Sequence, residues 1–449
     1  MNRPLLHLAA ELSQGRTTSR ALVEDCLARI SDPRGEGART FIKTYDVSAR
    51  AAADAADKMR GAGIAASPYA GIPVSIKDLF DVAGEITTAG SRVLATASPA
   101  ISDAPVIARL RAAGLVIVGR TNMTEFAYSG LGLNPHYGTP RNPYDRDAGR
   151  IPGGSSSGAA ISVCDGMAAA GLGTDTGGSC RIPAALTGTV GWKPTAKRIP
   201  LVGALPLATS LDSIGGIAPS VSCCAIMDAI LAGEPLLAPQ AFPLKGLRLA
   251  VPQSLVMEDV DSTVATAFAR ALATLSSGGA LVQDIALKEL LELPAINAKG
   301  GFPAAEAYAW HRHLLASKGA DYDPRVKVRI EKGVQQSAAD YIDLCAARKD
   351  FMRRVDALCS PFDALILPTV PIVAPTIGEL ADDQEYGRVN LLMLRNPTVV
   401  NFLDGCAISI PCHVPGEAPV GLMLVGRHGA DHRLFSIALA MEKLLSEYR

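Results

Sequence analysis

The stretch from Gly130 to Gly191 constrains the fold more than any other, because it concentrates Gly, Ser and Thr between apolar segments. Its two densest clusters are Pro152-Gly-Gly-Ser-Ser-Ser-Gly158 and Gly173-Thr-Asp-Thr-Gly-Gly-Ser-Cys-Arg181. A flexible linker is the usual meaning of such composition. Here the apolar, helix-like stretches Ala159 to Met167 and Ile182 to Leu186 follow the clusters directly. Each cluster is therefore predicted to be a tight turn into a helix, where backbone N–H groups converge. A phosphate cradle would normally add a basic side chain within the loop, and Ser155 to Ser157 has none.

Around these turns short apolar runs alternate with helical spacing. Leu22, Val23, Leu27 and Ile30 recur at helical intervals, a second helix is predicted from Ser48 to Met59, and a third from Val106 to Ala113. Buried strands are predicted at Gly71 to Lys77, Gly114 to Gly119, Leu247 to Pro252, Ala364 to Pro368 and Ala407 to Pro411. A last helix is expected from about His432 to Tyr448. Such alternation predicts an α/β fold with a mixed sheet. Residues 297–359 are mostly helical in pattern and richer in charge, and are expected to form a cap-like insertion over one end of that sheet.

With 449 residues, 48% of them hydrophobic, the chain can bury large cores without disulfides or metals. Its 43 basic and 44 acidic residues give a net charge of −1, which offers no electrostatic footprint for nucleic acid or an anionic membrane. No run reaches the ~18 apolar residues a spanning helix needs, and Met1 to Ile30 carries no signal-like apolar core. Nine cysteines without a CxxC pair fit reduced thiols. A soluble, cytoplasmic protein is the expectation.

Several motifs match only by letter. Gly61-Ala-Gly-Ile-Ala-Ala66 follows a helix and precedes a strand, the reverse of dinucleotide-site order. Gly154-Ser-Ser-Ser-Gly158 fits GxSxG, but the polar Asp145 to Pro152 before it is no buried strand for a nucleophile elbow. The pairs His311/His313 and His428/His432 have ligand-like spacing, yet Gly429 argues against a helix carrying the second, so no metal is expected. His136 is nearest the serine cluster in sequence; a local hydrogen-bonding role suits it better than that of a base.

Taken together, Gly153 to Gly158 and Gly173 to Thr195 resemble the two signature elements of the amidase signature family of serine hydrolases. The likeness extends to Gly71-Ile-Pro-Val-Ser-Ile-Lys-Asp78, Gly119 to Phe126, Ser210 to Gly215, Leu367 to Pro371 and Pro419 to Gly426. It is weakest from about 240 to 360, and its signature core spans about 60–220. It implies one α/β domain over 1–449, a large twisted mixed sheet with helices on both faces. Residue by residue it implies Ser179 as nucleophile, Ser155 as bridging serine in a cis peptide with Gly154, and Lys77 as terminal base. Thr176, Gly177, Gly178 and Ser179 would supply oxyanion-hole N–H groups, and Phe126, Ala127, Tyr128 and Ser129 would contact substrate. Ser157 stands where many members have glycine, outside the triad.

Such a lysine works only when neutral, and burial is the means of lowering its pKa. Lys77 ends an apolar strand; Asp78 follows it, and strand alternation should turn that carboxylate away. Arg181, Asp175 and Asp212 are expected to anchor the turn. The resemblance implies an amidase, without cofactor, converting a small-molecule amide to a carboxylate and ammonia or an amine. The alternative is the glutaminase subunit of a tRNA-dependent amidotransferase. No feature chooses among aliphatic amides, aryl amides, ureides and esters, and a homodimer is compatible with all of them.

Overall fold

The computed structural model describes residues 3–237 and 240–447. Eleven strands form one mixed sheet: β1 (Phe41–Thr44), β2 (Pro73–Lys77), β3 (Val116–Thr121), β4 (Gly171–Asp175), β5 (Val190–Lys193), β6 (Ser213–Ala218), β7 (Arg248–Pro252), β8 (Leu281–Ile285), β9 (Ala364–Pro368), β10 (Cys406–Pro411) and β11 (Gly421–Gly426). Their spatial order is β1-β3-β2-β4-β6-β5-β10-β11-β9-β7-β8. The expected strands are present, joined by β1, β4, β5, β6, β8 and β11.

Both faces of the sheet are covered. On β6, Ile217 packs with Ala159 and Ala184, from the helices that follow the two Gly/Ser turns, and with Cys180, which caps the second of them. Ile214 and Ala218 point the other way and join Val221, Cys224 and Met441 of the helices Val221–Ala232 and Asp431–Glu447. The expected end of that last helix at Tyr448 lies outside the described residues.

The helix after the first turn spans Ser157–Cys164 rather than reaching Met167, because Gly166 adopts φ 69° and breaks it. The second spans Arg181–Thr187. Between 297 and 359 lie helices Gly301–Lys318, Pro324–Glu331 and Ala338–Cys359, the last opened by a capping box between Ser337 and Asp340. No helix among the described residues is long and apolar enough to cross a membrane.

β3, β2 and β4 run parallel, so their carboxyl ends open on one side of the sheet. Side chains and loops at such ends commonly form the binding crevice of an open α/β sheet. Lys77 closes β2, and β4 runs straight into Thr176-Gly-Gly-Ser179.

Candidate active site

Lys77 is wholly buried. Its Nζ donates to Ser155 Oγ at 2.7 Å and to Thr174 Oγ1 on neighbouring β4 at 2.9 Å. Among the described residues no carboxylate pairs with it. Burial is the main cause that lowers its pKa from 10.5 to about 8, with Asp175 and Asp212 at longer range opposing the shift. Asp78 faces away as strand alternation requires, and its Oδ1 accepts from Arg120 Nε at 2.6 Å.

Ser155 is held by backbone. The Gly154–Ser155 peptide is cis, Gly154 N donates to Gly130 O at 2.8 Å, and Thr124 N donates to Ser155 O at 3.1 Å. A side chain at 154 has no room, since a Cβ there would lie 2.6 Å from Gly132 N. The two turns are stitched together where Ser156 N donates to Ser179 O at 3.2 Å. Lys77, Ser155 and the Ser179 turn, separated by up to about 100 positions in the chain, thus share one neighbourhood. Ser179 Oγ itself makes no hydrogen bond among the described residues.

The Ser179 turn is built around Asp175. Its carboxylate accepts from Gly178 N at 2.9 Å, Cys180 N at 3.1 Å, Arg181 Nη2 at 2.8 Å and Asn401 Nδ2 at 3.0 Å. The Arg181 guanidinium and these donors outweigh burial and hold Asp175 well below the usual carboxylate range. Arg181 also donates to Pro397 O and Asn401 Oδ1, which fastens the turn to the helix Asp383–Leu403. Anchoring is therefore where the structure places Asp175 and Arg181.

This arrangement corrects one expected donor. Gly178 N–H is committed to Asp175, so it is not free to receive an oxyanion, whereas among the described residues the N–H groups of Thr176, Gly177 and Ser179 bind no acceptor. Thr176 Oγ1 donates to Asp212 Oδ1 at 2.5 Å, and Leu207 N and Ala208 N also donate to that carboxylate at 3.1 Å. Burial raises the Asp212 pKa despite these donors.

A cavity of about 260 Å³ opens beside the turns, with Thr174, Thr176, Asp212 and Ala127 in its lining. Of the four positions expected to contact substrate, Ala127 lies on this wall. Phe126 and Ser129 do not: left-handed φ values of 50° at Phe126 and 60° at Ala127 reverse the chain. Phe126 is thereby buried edge-on to His311, with Tyr322 and Trp310 beyond. Ser129 Oγ donates to Asn390 Oδ1 at 2.8 Å and accepts from Tyr386. Tyr128 is half-buried, and its carbonyl accepts from Arg329 Nη1 at 2.5 Å. His136 pairs with Glu125 at 2.7 Å. The wall residues Leu201 to Leu207 were not expected, since nothing in their composition marks them.

The amidase family model matches residues 21–435. The 2-amino-5-chloromuconic acid deaminase of Comamonas testosteroni is 37% identical over 98% of this chain and 95% of its own. A glutamyl-tRNA(Gln) amidotransferase subunit from Chloroflexus aggregans is 34% identical over 96% of this chain and 94% of its own. A crystal structure of an amidase superposes with a TM-score of 0.89 at 31% identity, covering 98% of this chain and 99% of that one. Likeness of this extent, in sequence and in fold together, shows that the chain belongs to the amidase signature family of hydrolases.

Proposed function

We propose that the protein hydrolyses a small carboxamide to a carboxylate and ammonia or an amine, through an acyl-enzyme on Ser179. The observation that carries this reading is the 2.7 Å contact between Lys77 Nζ and Ser155 Oγ, in a desolvated site where no carboxylate among the described residues pairs with the lysine. An amide needs an activated oxygen, a proton for its nitrogen and donors for the developing charge. Neutral Lys77 takes the Ser155 proton while Ser155 Oγ takes that of Ser179, and Ser179 Oγ attacks the carbonyl carbon. The oxyanion falls to the unengaged N–H groups of Thr176, Gly177 and Ser179. The proton then returns through Ser155 to the leaving nitrogen, and water repeats the sequence on the acyl-enzyme. The Ser155–Ser179 hydrogen bond is the contact that the substrate complex closes.

The reading includes a cytoplasmic enzyme that uses no cofactor, binds no nucleic acid itself and is compatible with a homodimer. The amidotransferase relative supports a second reading, a glutaminase subunit that works only with partner subunits. Assaying the purified chain alone against a panel of amides and esters, with Ser179→Ala as control, separates the two. Ammonia and acid released by the wild type alone support the first. Activity that appears only with added partners supports the second, and no turnover in either setting refutes both.

A further inference from the structure

One wall of the cavity that opens at Thr176 of the Ser179 turn is apolar. Leu201, Val202, Ala204, Leu205, Pro206 and Leu207 come from a single strap between β5 and β6. That strap is fixed along its length. Asp81 N donates to Gly203 O at 2.7 Å and Leu205 N to Leu79 O at 2.9 Å. At its far end Thr209 Oγ1 and Ser210 N donate to Glu306 Oε2 at 2.8 and 3.0 Å, and Tyr341 holds the other Glu306 oxygen.

The one charge in the lining is acidic. Asp212 is the one charged residue among the described lining residues, which include no Lys, Arg or His; outside the lining, Glu306 and Arg348 both bind the Thr209–Ser210 end of the strap and their charges oppose each other. Asp212 is engaged by Thr176, Leu207 and Ala208 and is not an open cation site. Lys77 lies behind Thr174, buried and bonded to two hydroxyls. A carboxylate entering here would lose hydration with no cation in the lining to replace it and would face the Asp212 carboxylate. An apolar group gains by the same burial. At about 260 Å³ the space exceeds the ~150 Å³ engineered cavity that admits benzene.

We propose that the acyl side of the substrate is uncharged and apolar, an aliphatic or aryl group, and that amides bearing a carboxylate are rejected. This rests on the amide-hydrolase reading above and adds the substrate class to it.

The test compares hexanamide with adipic acid monoamide, equal in chain length and different in the terminal carboxylate. The neutral amide should show kcat/KM higher by at least about a hundredfold, and Val202→Arg, which puts a cation on an exposed stretch of the wall, should narrow the ratio about tenfold. In parallel, an alkyl fluorophosphonate and its ω-carboxyalkyl counterpart are compared for their rate of labelling Ser179, which needs no amide turnover. Faster labelling by the neutral probe supports the proposal even if neither amide is cleaved, an outcome that would refute amide hydrolysis alone. Equal or faster reaction of the carboxylate-bearing amide or probe overturns the proposal and leaves the hydrolase reading intact. Failure of both probes to label Ser179 overturns both.

Discussion

Asp78 holds Arg120 and not its chain neighbour Lys77: Oδ1 accepts from Arg120 Nε at 2.6 Å, and Oδ2 accepts from Gly90 N at 3.1 Å and from the Thr88 hydroxyl. Alternation along the strand sends the two side chains to opposite faces. Lys77 is left with hydroxyl partners and no solvent exposure, so its pKa is lowered.

That burial has a measurable cost in stability. Below about pH 8 the native state holds a buried ammonium and the cost is full. Between about 8 and 10.5 the native amine is neutral while the unfolded chain still binds the proton, so stability rises with pH. Wild type should therefore gain about 3 kcal/mol relative to Lys77→Met between about pH 7 and pH 10.5. Urea unfolding of both proteins at the two pH values checks this, and a pH-independent difference contradicts it.

Gly178 has φ 119°, and a Cβ there would meet Pro397 Cβ at 2.5 Å and Ile182 Cδ1 at 2.8 Å. Gly178→Ala must displace the Ser179 turn from the helix behind it. We expect kcat to fall by about 10²-fold or more, with stability lowered by about 1–3 kcal/mol. At Gly177 the nearest contact of an added Cβ is Thr398 Oγ1 at 3.2 Å, so Gly177→Ala should lose less stability. Steady-state kinetics and denaturant titration of the pair give the comparison.

Arg181 and Asp175 form a fully buried ion pair at 2.8 Å. Removing one partner strands the other's charge, so Arg181→Leu should destabilise the protein by about 3–5 kcal/mol. It should also lower turnover, because the carboxylate that fixes Gly178 N–H and Cys180 N–H loses its main counter-charge. Thermal melts paired with amide turnover test both effects.

How far the sequence carries is visible in particular residues. β2 and β3 are legible because they are buried on both faces and read as short apolar runs after a glycine. β4 and β6 are hidden by Gly171, Gly173, Gly215 and Gly216, which look like loop composition but serve close approach: a Cβ on Gly173 would lie 2.7 Å from Ser156 Oγ. Lys77, Ser155 and Ser179 are legible through local motifs, and the structure brings them together. The commitment of Gly178 N–H to Asp175 is not, because N–H direction depends on the turn's dihedrals. Nor are the roles of Phe126 and Ser129, whose partners His311, Tyr322 and Asn390 lie about 180 to 260 positions away.

Glu125 joins the loop at Phe126 to the 297–359 helices. Fully buried, it accepts from Ser91 Oγ and from Asp323 N, each at 2.7 Å, and contacts His136 Nε2 at 2.7 Å. Glu125→Ala leaves these groups unpaired and should lower stability by at least about 2 kcal/mol. Hydrogen exchange should quicken over the helix Pro324–Glu331, which Asp323 caps; unchanged protection there would count against this link.

In the proposed reaction neutral Lys77 withdraws the Ser179 proton through Ser155. The most direct test is the pH dependence of Ser179 acylation by a neutral fluorophosphonate, in wild type and in folded Lys77→Met. The wild-type rate should climb to a plateau with a midpoint near 8, and the variant should be slower by orders of magnitude with that midpoint gone. A variant that keeps the wild-type rate and profile would contradict this role of Lys77.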